Sequence, residues 1–91
     1  MALQHINIRI TGRVQGVYYR VHTRDKALEL GVKGFVRNEN DGAVYVEAEG
    51  EPEKLAQLVA WCKQGPPRAE VRQVDVSPSE VRYFNDFVIE R

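Results

Sequence analysis

Ninety-one residues carry thirteen basic and thirteen acidic side chains and no formal net charge, which is chain enough for one small domain, 1–91, and too balanced for general nucleic-acid binding. Apolar residues make up 43% and charged residues 29%, which excludes a disordered chain, and no apolar run approaches the roughly 18 residues of a membrane span. The lone cysteine, Cys62, excludes an internal disulfide and a structural zinc site; with no apolar signal core in Met1 to Ile10, a cytoplasmic protein is expected.

The first segment alternates. Ile6, Ile8 and Ile10 share one face and His5, Asn7, Arg9 and Thr11 the other, the period of a half-buried strand. Gly12 and Gly16 bracket a short loop. A helix is predicted from Tyr19 to Leu30, with Tyr19, Thr23, Ala27 and Leu30 on one stripe and Gly31 at its end. Residues 32–39 and 43–49 read as two strands joined through Asn40, Asp41 and Gly42, a hairpin signal. By parity Val32, Gly34, Val36 and Asn38 share a face, and Val44, Val46 and Ala48 line the matching one. Pro52 suits the first turn of a second helix running to about Lys63, with Leu55, Leu58, Val59 and Cys62 as its buried stripe. Gly65, Pro66 and Pro67 stop it. A strand over about Val71 to Val76 and a short one at Phe87 to Ile89 complete the order.

Strand, helix, strand, strand, helix, strand, strand makes two interlocked crossovers around an antiparallel hairpin. The expected fold is α+β: a ferredoxin-like split βαβ sandwich, two helices packed on one face of an antiparallel-dominated sheet.

Charge is unevenly spread along the chain. Residues 1–38 hold seven basic and two acidic side chains, +5, and residues 39–91 are −5. The first half concentrates anions by its field, unless the two mix in three dimensions. Within it, Gly12-Arg13-Val14-Gln15-Gly16-Val17-Tyr18-Tyr19-Arg20 leaves a strand, crosses a tight loop and enters a helix. Loop N–H groups together with the free N–H groups of a first helical turn form an anion cradle. Arg20, mildly disfavoured there by the helix dipole, makes sense facing a phosphate; a solvated arginine on a glycine-rich turn fits the same spacing. Gly34-Phe35-Val36-Arg37-Asn38-Glu39-Asn40-Asp41-Gly42 ends its strand with a core-facing asparagine. That amide needs partners, and turn backbone would serve.

Taken together, the two segments resemble the acylphosphatase family: the first its phosphate-loop signature, Gly-x-Val-Gln-Gly-Val-x-Phe-Arg, the second its Gly-aromatic-Val-x-Asn run closed by Asp-Gly. Length, element order, Gly50 before the second helix and the closing Phe87-Val88-Ile89 extend the resemblance over essentially the whole chain. It implies a hydrolase that cleaves small acyl phosphates to a carboxylate and inorganic phosphate, by direct attack of an asparagine-oriented water on phosphate held by an arginine and a backbone loop, without metal or cofactor. Arg20 matches the family's phosphate-binding arginine and Asn38 the asparagine that orients the water. Gln15, Gly16, Val17, Tyr18 and Tyr19 match the backbone cradle that binds substrate. The expected partners are the acyl phosphate and inorganic phosphate, product and competitive inhibitor, with no nucleic acid, no membrane and a monomeric chain. Tyr19 stands where phenylalanine is usual, Tyr18 is bulky where many members have glycine, and Phe35 replaces a common tryptophan; Tyr18 bears on substrate access.

Asn38 is a poor base, and the substrate's own phosphate can take the proton; His5 and His22 are rival bases. Cys62 to Arg68 fits Cys-x5-Arg, the phosphate loop of cysteine-dependent phosphatases, but Pro66 and Pro67 lack the N–H groups such a loop needs. Cys62 is therefore read as a small core residue. Two rival functions are an RNA-recognition-type module, which would stack bases on strand aromatics, and a catalytically idle domain that senses acyl phosphates or binds a partner. Turnover of a small acyl phosphate separates all three.

Overall fold

Residues 3–90 are described by the computed structural model; the start of the amino-terminal alternation at Met1 and Ala2, and the last residue of the expected 1–91 domain, lie outside them. Period-two alternation carries strand β1 over Gln4–Arg13, with Ile8 and Ile10 fully buried. Helix α1 occupies Tyr19–Leu30, the bounds its stripe predicts, and buries Tyr19, Thr23 and Ala27. It ends at Gly31 with the N–H of Val32 returning to the Ala27 carbonyl at 2.9 Å, a Schellman closure. That bond takes Val32 out of the next strand. Strands β2 (Lys33–Asn38) and β3 (Val44–Gly50) are therefore set in by a residue from the predicted 32–39 and 43–49 at most ends. Glu39 and Ala43 form the hairpin's closing pair instead, at 2.8 Å. Helix α2 runs Pro52–Gln64 with Pro52 in its first turn, and buries Leu55, Leu58 and Cys62. Strand β4 (Glu70–Ser79) is longer at both ends than predicted, because it pairs with β1 all the way from His5 to Arg13. Strand β5 covers Phe87–Ile89.

The sheet order is β4-β1-β3-β2-β5, antiparallel except for β5 beside β2. The fold is the predicted one, two helices on a five-stranded, mostly antiparallel open sheet. The register sets Ile8 opposite Val46, Ile10 opposite Val44 and Val36 opposite Val46. These join Leu55, Leu58 and Cys62 in one core. Full burial of each Val, Ile or Leu side chain in that core contributes roughly 1.5–3 kcal/mol.

The other sheet face carries a polar network that sequence alone does not disclose. β4 and β5 lie on opposite edges, so residues 80–86 must pass from one edge to the other. The Glu49 carboxylate holds this crossing by accepting the N–H groups of Arg82, Tyr83 and Phe84. Its Oε2 also lies 2.9 Å from His5 Nδ1. Glu47 Oε1 stands 2.9 Å from His5 Nε2 with no hydrogen bond between them. Phe84 packs on Phe35 edge-on at 5.9 Å. Burial by itself would raise the Glu49 carboxyl. The backbone N–H groups of Arg82 and Phe84, with His5, outweigh it and hold the carboxyl below its ordinary value.

Candidate active site

β1 and β4 slip register between Thr11 and Gly12. Gly12 sits at φ 124°, and a side chain there would run into the Glu70 carbonyl oxygen. This bulge turns the chain out of the sheet and into the loop that precedes α1. Side chains anchor the loop from below. Val14 and Val17 are buried in the core, and the Gln15 amide donates to the carbonyls of Glu39 at 2.8 Å and Ala43 at 2.9 Å. The loop is thereby tied to the β2–β3 turn across twenty-four and twenty-eight residues. Its backbone N–H groups are left over: among the described residues none from Gln15 to Tyr19 donates to a protein acceptor. Tyr18 caps α1 in the left-handed region with no side-chain cap, and the first turn holds no acidic residue. The positive end of the helix is therefore open.

An open cavity of about 610 Å³ lies over this end, lined by Val14, Gly16, Tyr18, Tyr19, Arg20, Val21, Asn38 and Ile89. Arg20 and Asn38, eighteen positions apart in sequence, meet there. Among the described residues no carboxylate lies within 4.0 Å of the Arg20 guanidinium. Asn38 Oδ1 is buried and has no hydrogen-bond partner. Turn backbone is one partner open to a buried amide, and this oxygen does not use it. An unpaired cation, an unpaired acceptor and a row of free N–H groups on one cavity suit an anion that is approached by a hydrogen-bond donor.

The five predicted cradle residues divide. Gly16, Tyr18 and Tyr19 line the cavity, whereas the Gln15 side chain serves the hairpin and the Val17 side chain the core. The Tyr19 ring turns inward, where its hydroxyl donates to the Cys62 carbonyl at 2.6 Å and the ring packs on Trp61 at 5.5 Å. Burial first, then the neighbouring Cys62, pushes this phenol up, so it holds its proton. Cys62 is fully buried, and burial, as the largest cause, raises its thiol to about 12; it is a core residue and no nucleophile. Neither rival base lines the cavity. His22 is exposed on α1 and His5 is locked in the Glu49 network on the far sheet face. Among the described residues no group of three metal-ligating side chains converges, and no helix is long and apolar enough to cross a membrane. Sequence reasoning missed Ile89. It reaches the cavity only because β5 pairs with β2 at Val36, a contact that no local pattern announces.

The family model described as acylphosphatase matches residues 6–89. The chain is 50% identical to an acylphosphatase of Pelotomaculum thermopropionicum, over 84% of this chain and 83% of the relative. It is 43% identical to one of Methylococcus capsulatus, over 98% of both. Among solved structures it superimposes on an acylphosphatase from Coxiella burnetii with a TM-score of 0.94 at 35% identity, covering 97% of this chain and 93% of that one.

Proposed function

Since the chain belongs to the acylphosphatase family, and is thus a hydrolase of acyl phosphates, we propose that Arg20, Asn38 and the Gln15–Tyr19 backbone are the parts that perform the reaction. The observation that carries this reading is the meeting of an unpaired guanidinium, an unpartnered asparagine oxygen and free N–H groups on one cavity.

The phosphoryl group lies against the loop N–H groups and the α1 N-terminus, with Arg20 forked on its oxygens. Asn38 Oδ1 accepts a hydrogen bond from a water and holds the water oxygen in line with phosphorus. As the new P–O bond forms, the bond from phosphorus to the acyl oxygen breaks and the electron pair leaves with the carboxylate. A carboxylic acid has a pKa near 4, so the leaving group departs without strong protonation. The transition state is loose, and its charge sits on the phosphoryl oxygens, where fixed donors and a cation stabilise it. The water's proton passes to a phosphoryl oxygen, since no His, Asp or Glu lines the cavity. No metal or cofactor enters this scheme: Arg20 supplies the cation. The chain works as one 1–91 domain and a monomer in the cytoplasm, with inorganic phosphate competing as product. The strand aromatics favour this over base stacking, since Arg37 lies 4.8 Å from the Tyr45 ring centre and Phe84 covers Phe35.

The test is turnover of acetyl phosphate by the wild type and by Arg20→Gln. Loss of one strong transition-state donor costs a factor of about 10² to 10³ in kcat, and the variant should lose at least that while melting normally. Normal turnover by folded Arg20→Gln overturns the assignment. Binding without turnover by the wild type would make the chain a sensing domain.

A further inference from the structure

The phosphate cradle and the water-orienting oxygen stand on two different elements, the loop before α1 and the end of β2. Along the chain, α1 and most of β2 lie between them. In-line attack nevertheless fixes the distance between the two, since a misplacement of about 1 Å costs about 10²-fold in rate. Among the described residues one side chain joins them by hydrogen bonds. Gln15 precedes Gly16, which lines the cavity, and its amide donates one N–H to the Glu39 carbonyl and the other to the Ala43 carbonyl. Glu39 follows Asn38 directly, and Ala43 precedes Val44, the residue paired with Asn38 across the hairpin.

Neither half needs this link for its own construction. The Ala43 carbonyl already accepts the Glu39 N–H at 2.8 Å, and the Glu39 carbonyl the Gly42 N–H at 3.2 Å, so the turn is closed without Gln15. Val14 and Val17, buried in the core, hold the loop without it. The amide takes up the lone pairs that the turn leaves over and spends both of its protons on them. What these bonds add is the position of one half relative to the other.

We propose that Gln15 is a positioning residue for the reaction: its amide sets the gap between the phosphate cradle and the water on Asn38, and so acts on the attack through Asn38 and not on phosphate binding. The inference rests on Asn38 orienting the water.

The experiment is a double-mutant cycle of wild type, Gln15→Met, Asn38→Ala and the double variant, read as kcat on acetyl phosphate, inhibition by inorganic phosphate and melting temperature. Methionine keeps the length of glutamine and lacks the donor. Gln15→Met should lower kcat by about ten- to hundredfold and shift phosphate inhibition by less than about threefold. In the Asn38→Ala background the same change should cost less than about twofold more, because the residue it serves is gone. The full loss repeated in that background, a parallel weakening of phosphate inhibition, or a wild-type kcat in Gln15→Met each overturns the proposal. Should Gln15→Met melt well below the wild type, Gln15→Asn carries the test. It keeps the amide but is a methylene too short to reach both carbonyls, and the same readings decide. Failure of the underlying reading looks different, since Asn38→Ala alone would then keep the wild-type kcat or lose phosphate binding along with it.

Discussion

Helix N-termini disfavour cations, yet Arg20 stands in the first turn of α1 with no acidic residue beside it. The misfit is readable from sequence, and the cavity supplies its reason. Asn38 is readable only in part. Parity puts it on the core side of β2, but that its Oδ1 would be left without a partner depends on the cavity, which the pattern does not show. On the proposed reading this oxygen orients the attacking water and does not hold phosphate, so Asn38→Ala should lower kcat by about 10²-fold and change inhibition by inorganic phosphate by less than about threefold. Steady-state kinetics with phosphate as inhibitor separates the two effects; parallel losses would make Asn38 a phosphate ligand. Gln15 shows where residue-level reading stops. Its signature places it in the cradle, whereas its amide spans to Glu39 and Ala43, partners that are near only after the hairpin has folded.

At the scale of elements, both helices and strands β1, β2 and β3 follow from periodicity and from the glycine and proline residues that bound them, and β5 lies at the expected Phe87–Ile89. β4 is expected in place but too short, since its length is set by backbone pairing with β1 and its exposed edge needs no apolar alternation. Pro78 is tolerated there as on other edge strands. The β2–β3 pairing has a tighter requirement. Gly34 lies at φ 142°, and a side chain on it would run into the carbonyl oxygen of Glu47 on the neighbouring strand. Gly34→Ala should therefore destabilise the fold by more than about 2 kcal/mol, from strain at that φ together with overpacking. For a domain of this size that lowers the melting temperature by roughly 8 °C or more. A thermal melt within 2 °C or so of wild type would show that the strands can part at no cost.

For the molecule as a whole, the crossing from β4 to β5 is the feature no local signal predicts, because it depends on a carboxylate thirty-three to thirty-five residues away. Glu49 is held below its ordinary value of 4.5 in the fold. Its contribution to stability is thus complete above that value and is lost as the pH falls through the lower folded value. Urea midpoints from pH 7 to pH 3 should decline for the wild type below about pH 4.5, and less steeply for Glu49→Gln, which cannot take up that proton. Identical slopes would assign the acid sensitivity to other carboxylates.

The same crossing bears on solubility. While it lies in place, Phe84 shields Phe35, and β5 covers the outer edge of β2 along Gly34, Phe35 and Val36. Protonation of Glu49 places a proton on one of the two oxygens that hold three N–H groups of the crossing and removes the charge that strengthens the bonds to the other, which should loosen the segment that leads into β5. A partly opened molecule then presents an aromatic pair and an unpaired strand edge together, the combination through which sheets join one another. Acid should therefore weaken this fold and make the weakened form adhesive, so that precipitation accompanies the loss of structure instead of following it.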